Sequence, residues 1–276
     1  SLIREIYRYE PEILKIIFNM MFIPMYEDKE HKHLYIEALP KPGTTCIHES
    51  AFSENETLQS VIISKSVTNI DEYGFWGCSS LKSITIPNSV KSIDDAVFGS
   101  CSSLKSINIP NSLTFIGENV FSWCSSLKSI NIPESIMSII VSNGALARCD
   151  SFQSITIPDS VTYIGDNAFK YTSLKYITIP DSVTYIGNRA FSECSSLKTI
   201  TIPNSVIEIG EGLFSNCYYL TVVNLPDTLT SISENSFKNC KSLLSIIIPD
   251  SVTNIGDYAF KNCKSLLSII IPDSVT

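Results

Sequence analysis

Hydrophobic and polar positions alternate along most of the chain in a unit that repeats roughly every 23 residues. In the unit that begins at Leu81, the side chains of Leu81, Ile84 and Ile86 are apolar and the residues between them are polar. This alternation predicts a short β-strand with one buried side, which Pro87 ends. Apolar residues within 90–93 are expected to point inward beyond the following turn.

The second half of the unit predicts a short helix. Asp95, Phe98 and Cys101 have the spacing of one or two helical turns, and the acidic residue lies near the start of that segment. We therefore expect one strand in each unit, followed by a short helix or an irregular segment.

A column of prolines sets the period of the repeat. Successive prolines are 23 residues apart. The exceptions are the interval after Pro133, which is two residues longer, and the next interval, which is one residue shorter. The column consists of Pro87, Pro110, Pro133, Pro158, Pro180, Pro203, Pro226, Pro249 and Pro272. The same phase extends upstream to a partial copy at 34–40, so the predicted array spans residues 34–276 in about ten units.

Stacking explains how units of this size can fold. One unit of this length cannot bury its apolar positions alone, whereas stacked units form a continuous core. Parallel strands about 4.8 Å apart would make ten units roughly 45–50 Å long. The pattern therefore predicts an α/β solenoid, in which binding is spread over a broad face.

Residues 1–33 lack the repeat and predict a helical cap. Pro11 suits the first turn of a helix, and apolar residues then recur at helical spacing on one face. These residues are Ile13, Leu14, Ile17, Phe18 and Met21. A cap is needed because the core of the end unit would otherwise meet water, and a partner-binding or dimerising helix is the alternative. At the other end Thr276 lies in mid-unit, so we expect the natural array to be truncated here.

The repeat L-x-x-I-x-I-P-x-S-V-x-x-I-G-x-x-A-F-x-x-C-x-S resembles the BspA-type (Treponema-type) leucine-rich repeat of bacterial and protist surface proteins. The resemblance covers residues 34–276 and implies a right-handed solenoid whose parallel sheet lines its concave side. It also implies roles in adhesion to host matrix proteins or to other cells. A cell-surface or secreted location follows from the same resemblance.

Composition argues against several classes of function. The 276 residues are 44% hydrophobic and 17% charged, which is typical of a folded protein. A net charge of −8 offers no basic surface for nucleic acid, and the longest apolar stretch, 13–24, is too short to span a membrane. All three histidines precede residue 50, so units beyond His48 have no histidine base for nucleophilic hydrolysis. We therefore expect no enzyme and no cofactor.

Eight of the nine cysteines occupy one column, three residues after the phenylalanine position. They are Cys78, Cys101, Cys124, Cys149, Cys194, Cys217, Cys240 and Cys263. Thr172 fills the missing place, and Cys46 stands outside the column. Because each thiol is flanked by core positions and no C-x-x-C pair occurs, we expect buried free thiols. Disulfides between units and a row of metal sites are the alternatives.

An acidic column lies three residues before the phenylalanine position. It consists of Glu49, Glu72, Asp95, Glu118, Asp166, Glu211, Glu234 and Asp257, with Asn188 in place of one acid. Each carboxylate is expected to accept N–H groups at the start of its own helix. A row of calcium sites is the alternative, but one acid per unit is few for an ion that takes six to eight oxygen ligands.

A basic column lies at the entrance to the strands, and its members are Lys82, Lys105, Lys128, Lys175 and Lys198. Lysines at a sheet edge discourage aggregation, so solvated side chains are expected there. Contact with a ligand is the alternative.

Outward-facing strand positions form the predicted ligand-binding face. They are small and polar in the first units and become apolar towards the carboxyl end, where Leu244 and Leu267 adjoin them. Contiguous exposed apolar area commonly marks a contact surface, although these residues could instead favour the strand or be covered by further repeats. The predicted residues are Ser83, Thr85, Ser106, Asn108, Ser129, Asn131, Ser154, Thr156, Tyr176, Thr178, Thr199, Thr201, Val222, Asn224, Ile247 and Ile270.

The sequence thus predicts a non-enzymatic, adhesin-like surface protein that engages a protein or glycan ligand through the concave sheet. The alternative is an intracellular or structural scaffold whose copies associate through the solenoid surface and the carboxyl-terminal end. His31 and His33 lie near Asp28 and Glu30, but a polar loop between cap and array explains them, so no metal is predicted.

Overall fold

A computed structural model describes residues 25–28, 33–36, 45–133 and 143–276. These residues contain 17 short β-strands and no helix. The strands are β1 Met25–Asp28, β2 His33–Ile36, β3 Cys46–Ile47, β4 Ser60–Ile62, β5 Asn69–Ile70, β6 Ser83–Thr85, β7 Ser92–Ile93, β8 Ser106–Asn108, β9 Phe115–Ile116, β10 Ser129–Asn131, β11 Tyr163–Ile164, β12 Tyr185–Ile186, β13 Thr199–Thr201, β14 Glu208–Ile209, β15 Val222–Asn224, β16 Ser231–Ile232 and β17 Asn254–Ile255.

The predicted strand of each unit forms a first parallel ladder. Strand β4 pairs with β6, β8 with β10, and β13 with β15, always in register with the equivalent residue one unit away. Single bridges join Thr156 to Thr178 and Val222 to Ser245 in the same direction. Successive units therefore stack as coils of a parallel β-solenoid, which confirms the predicted stacking.

A second parallel ladder lies after the proline turn, where the sequence predicted only inward-pointing apolar residues. Strands β3, β5, β7 and β9 pair in order, and so do β11, β12 and β14, and then β16 and β17. Each of these strands has two residues. The second residue is an isoleucine, and it points into the core in every described coil except the last, where Ile255 is half-buried. The described coils thus contain short strands or single bridges of two ladders, and no helix.

The amino-terminal part of the array differs from the predicted helical cap. Strands β1 and β2 pair antiparallel, with Asp28 opposite His33, and β2 then pairs in parallel with β4 of the first ladder. Residues 25–28 are therefore strand, and the helical assignment is wrong for them. The helix expected after Pro11 lies outside the described residues.

The third side of each coil is a run of turns, so the short helix predicted there is wrong and the irregular segment, given as the other possibility, is present. In one coil the N–H groups of Ala96, Phe98 and Ser100 donate to carbonyl oxygens of the next coil at 2.7–2.9 Å. A helix would direct those N–H groups to carbonyls four residues back in its own chain. Ala96 and Ser100 have φ angles of 52° and 60°, and positive φ recurs at both positions in each described coil. These left-handed residues turn alternate N–H groups towards the neighbouring coil.

A column of stacked phenylalanine rings runs through the core beneath these turns. Neighbouring rings have centroids 4.9–5.8 Å apart and planes within 3–21° of parallel. The first run contains Phe52, Phe75, Phe98 and Phe121, and the second contains Phe169, Phe191, Phe214, Phe237 and Phe260. Leu146 holds the place between the two runs and is fully buried. Stacking of identical side chains therefore connects each coil to the next.

The proline column forms the corner between the two ladders. The N–H group of Val183 donates to the carbonyl oxygen of Pro180 at 3.1 Å, and the same turn recurs after the other prolines of the column whose turns lie in the described chain. The hydroxyl of Ser182 donates to the carbonyl oxygen of Val161 in the preceding coil at 2.6 Å. The equivalent bonds of Ser251 and Ser274 show the same arrangement, so these serines of the D-S-V segments are turn and stacking residues.

Candidate binding face

The first ladder presents one side to the core and the other to solvent. In β6, Ile84 is buried and its neighbours Ser83 and Thr85 are exposed, and the same order occurs in β8, β10, β13 and β15. This follows from the two-residue period of a strand. We call the outward-facing residues of this ladder the strand face.

Every residue predicted to bind a ligand lies on the strand face or on its continuation in the bridged coils. All of them are exposed except Ser154, which is half-buried. Because the coils are in register, these side chains form two parallel columns, one for each outward position. Their placement is as predicted, and their binding of a ligand stays a prediction.

The chemistry of the strand face changes along the solenoid. Serine, threonine and asparagine fill the columns through the middle coils, whereas the coils near the carboxyl end expose branched apolar side chains. The exposed fractions are 85% for Ile247, 94% for Leu267 and 84% for Ile270, and Leu244 is exposed beside them. Together with Val222, these residues form the apolar end of the strand face.

A groove of about 350 Å³ opens on the strand face between two neighbouring coils. Four of the predicted residues line it, namely Tyr176, Thr178, Thr199 and Thr201. The rest of its wall consists of Ile177, Ile179, Asp181, Ile200 and Pro203. The ring of Tyr176 is 65% exposed and replaces the serine or threonine found at that position in most other coils. The groove therefore combines an aromatic surface, hydroxyl groups and one carboxylate.

The lysine column borders the strand face one residue before each strand. All five lysines are exposed, and the Nζ atom of Lys82 donates to Oε1 of Gln59 in the preceding coil at 3.1 Å. In the last coils the equivalent positions hold Thr221, Leu244 and Leu267. The basic border therefore ends where the face becomes apolar.

Two carboxylates of the acidic column accept backbone N–H groups, and in both cases the donor lies in the neighbouring coil. Oδ1 of Asp95 accepts the N–H of Glu118 at 2.7 Å, and Oδ1 of Asp166 accepts that of Asn188 at 2.7 Å. The predicted cap of a helix in the same coil is therefore wrong. Among the described residues, no three carboxylates of this column bring oxygens within 4.8 Å of one another. Asp95 and Asp166 thus tie neighbouring coils together by hydrogen bonds.

The cysteine column is buried and its thiols are free, as predicted, except that Cys263 is only half-buried. The thiol of Cys217 donates to the carbonyl oxygen of Phe191 at 3.0 Å, and the other column cysteines make the equivalent bond. Burial raises the pKa of Cys78 to about 12, so its nucleophilic thiolate is scarce at neutral pH. The seven buried thiols of the column are core residues.

Two side-chain ladders along the turns were missed by the sequence reasoning. The guanidinium carbon of Arg148 lies 4.7 Å from the ring centre of Trp123 and 3.6 Å from that of Tyr171. Further along the same column, the Nδ2 group of Asn216 donates to Oε1 of Glu193. The amide of Asn239 donates in the same way to Asn216, and that of Asn262 to Asn239. All of these residues lie two positions after the phenylalanine column, and that shared phase is the signal that could have found them.

None of the described residues forms a helix long and apolar enough to cross a bilayer. A model of the BspA type leucine-rich repeat region, with six copies, matches residues 45–173 and 162–276, which together are more than half of the chain. Among curated proteins, none matches this sequence.

Solved structures of leucine-rich repeat proteins resemble the chain along most of its length. A leucine-rich cell surface protein from Faecalibacterium prausnitzii A2-165 is 28% identical with a TM-score of 0.51, and the match covers 91% of this chain and 87% of that one. A leucine-rich repeat protein from Bacteroides ovatus is 26% identical with a TM-score of 0.55, covering 92% and 88%. The pneumococcal vaccine antigen PcpA, at 24% identity, 83% and 68% coverage and a TM-score of 0.62, is similar in fold.

Proposed function

The chain belongs to the BspA-type leucine-rich repeat family, and we propose that it is a non-enzymatic protein-binding module with an adhesin-like role at the cell surface. Leucine-rich repeat proteins of this kind are generally protein-binding and surface-associated, and the similar F. prausnitzii protein is described as a cell surface protein. Extended repeat arrays provide broad surfaces for such contacts. The proposed ligand is an extracellular matrix protein or a protein or glycan of a neighbouring cell.

The strand face is the proposed contact surface, and one observation carries this assignment. Its residues form a continuous exposed surface that changes from small hydroxyl and amide groups to branched apolar groups. Tyrosine is enriched among the residues that dominate binding energy in protein contacts, whereas serine and threonine are under-represented there. Contiguous exposed apolar area commonly marks a contact surface. The groove at Tyr176 and the apolar end are therefore the proposed anchors, and the polar part excludes water around them.

Charge insertion on the strand face tests the proposal. A triple variant, Thr85→Asp with Asn108→Asp and Thr178→Asp, should weaken binding of the full chain to immobilised matrix proteins or host cells at least about tenfold, which is about 1.4 kcal/mol. The control variant carries Thr162→Asp and Asn254→Asp, two exposed positions beside or within the second ladder. Undiminished binding by the triple variant with an unchanged melting curve would contradict the assignment. An equal loss per added charge in both variants would point to net charge as the cause.

Association of copies is a second candidate function, corresponding to a structural scaffold. The exposed apolar side chains of Ile247 and Ile270 favour it, because contiguous exposed apolar groups commonly form contact surfaces. Sedimentation velocity of the full chain over a range of concentrations would detect self-association. A dimer or larger species that Ile247→Lys returns to the monomer would support the scaffold, and a monomer at all concentrations would reject it.

A further inference from the structure

The residue directly after each second-ladder strand is glycine in most of the later coils. In the first three coils the same position holds a histidine or an aspartate, whose side chains can bind a metal ion. A Cβ atom at Gly117, Gly187, Gly210 or Gly256 would lie closer than 3.0 Å to the backbone of the preceding coil. The equivalent residues of the first three coils are His48, Asp71 and Asp94. The first coils thus accommodate side chains at a position that stacking closes elsewhere.

Two of these side chains meet a cysteine that lies outside the cysteine column. Residues Cys46 and His48 are two positions apart, so they point to the same side of the chain, and Asp71 lies beside His48 in the next coil. The thiol of Cys46 donates to Oδ1 of Asp71 at 3.0 Å, and Nδ1 of His48 lies 3.6 Å from Oδ2 of Asp71. One ligand atom from each residue lies within 4.8 Å of those of the other two. We call these three residues the Cys-His-Asp cluster.

We propose that the Cys-His-Asp cluster binds a divalent transition-metal ion, Zn²⁺ in the first place. Sulfur, imidazole nitrogen and carboxylate oxygen together are a zinc ligand set, whereas Ca²⁺ and Mg²⁺ take oxygen ligands. Tetrahedral coordination at about 2.0–2.3 Å places neighbouring ligand atoms roughly 3.3–3.8 Å apart, so side-chain adjustments of about an ångström suffice. Three protein ligands leave the fourth position for water.

The surroundings of the cluster favour a cation. The carboxylate of Asp94, which occupies the same column one coil beyond Asp71, lies close enough to interact with both Asp71 and Cys46. A bound dication offsets these negative charges, because it stabilises the thiolate and the carboxylates together. On binding, the proton of Cys46 passes to solvent, and the hydrogen bond to Asp71 is replaced by bonds from both residues to the ion.

A metal at this position would join two coils. Cys46 and His48 belong to the first described coil and Asp71 to the next, so one ion would fix their relative position. The site lies on the outer side of the second ladder, where the side chain of His48 is 68% exposed and that of Asp71 34%. It is therefore separate from the strand face, and binding of metal does not depend on the proposed adhesive function.

Cobalt is the probe that reports the ligand set. The full chain, freed of metal with a chelator, is titrated with Co²⁺, and a thiolate ligand is expected to give strong near-ultraviolet absorption together with visible bands typical of tetrahedral coordination. Stoichiometry of one ion per chain and displacement by Zn²⁺ are expected. Removing a residue that only hydrogen-bonds to a metal ligand typically weakens metal binding roughly 10–100-fold. The variants Cys46→Ser, His48→Gln and Asp71→Asn each remove a ligand itself, so each should weaken binding by more than that.

Two controls separate this site from the remaining histidines and cysteines of the chain. His31→Gln with His33→Gln removes the other histidines and should leave the cobalt spectrum unchanged. Zn²⁺ should slow alkylation of Cys46 and leave that of Cys263, which is also half-buried, unaffected. Circular dichroism checks that each variant is folded, and labelling of the unaltered chain gives a result even where a variant does not fold. Absence of the thiolate absorption, its survival in Cys46→Ser, or its loss only in the His31 and His33 variant would overturn the proposal.

Discussion

Replacing Phe214 by alanine tests how strongly the stacked phenylalanine column holds the coils together. The ring is fully buried, and its centre lies 5.8 Å from that of Phe191 and 5.6 Å from that of Phe237. Truncating a buried phenylalanine to alanine costs about 3–5 kcal/mol. Each ring pair contributes about 0.5–1.5 kcal/mol beyond the buried area, so the two lost pairs account for roughly 1–3 kcal/mol of that cost.

Leucine is the matched control for this substitution, because Leu146 occupies the same column and is fully buried. Phe214→Leu removes both ring pairs but keeps much of the buried apolar area. We therefore expect it to lower the free energy of unfolding by about 1–3 kcal/mol, less than alanine does. The difference between the two variants separates the loss of ring stacking from the cavity.

Urea unfolding followed by circular dichroism measures the free energy of unfolding for both variants. Because each coil contacts only its neighbours, the loss should be local as well. Hydrogen exchange is expected to rise in the coils of Phe191, Phe214 and Phe237 and to stay unchanged in the first coils. A cost below about 1 kcal/mol for alanine, or equal costs for alanine and leucine, would refute the reasoning.

Two further predictions follow from the columns. At neutral pH the folded chain should react with a maleimide at Cys46 and Cys263. The reaction should be slow, because burial raises the pKa values of these thiols to about 12 and about 11. Peptide mass spectrometry measures the labelling, and labelling of Cys194 at a similar rate would contradict its place in the core. Gly117→Ala should lower the free energy of unfolding in urea by about 1–3 kcal/mol, since the new Cβ would lie 2.6 Å from the backbone of Asp94 and Asp95. An unchanged free energy of unfolding for Gly117→Ala would contradict this prediction, because it would mean that the two coils move apart at little cost.

The stacking of coils could be predicted from the sequence because it depends on one period. Apolar residues repeated with the prolines can be buried only if each unit covers the next, and this fixes which residues point inward. Ile84, Ile86 and Val90 are buried as expected, and the serine and threonine neighbours of Ile84 are exposed. The second ladder was not predicted, since a two-residue strand is too short to show alternation.

The turns were predicted as helices because a three-residue spacing fits both structures. The N–H of Cys101 donates to the carbonyl oxygen of Phe98 at 3.2 Å, which is a single turn that does not continue as a helix. The sequence did contain a signal for turns, namely asparagine at the two positions of positive φ in several coils. Asparagine tolerates the left-handed conformation better than most residues. Asn119, Asn167 and Asn239 are examples with φ of 55°, 55° and 62°.

The acidic column shows the limit of reading a single unit. Its chemistry predicted that carboxylates accept backbone N–H groups, and Asp95 and Asp166 do so. The donor could not be predicted, because Asp95 bonds to Glu118 and these residues become neighbours only through the register of two coils. The aromatic pair around Arg148 has the same origin, since Trp123 and Tyr171 belong to the coils on either side of it.

In a repeat protein, the residues that depart from the repeat give the most information about function. A residue that matches its column is explained by stacking, so it carries little evidence for a ligand. Tyr176 replaces a small polar residue in the coil that is one residue shorter, and the groove opens beside it. His48 and Asp71 replace glycine and meet Cys46. Both departures add a side chain that the core does not need, at a place where solvent can reach it, so the proposed anchor at Tyr176 and the proposed metal site rest on them.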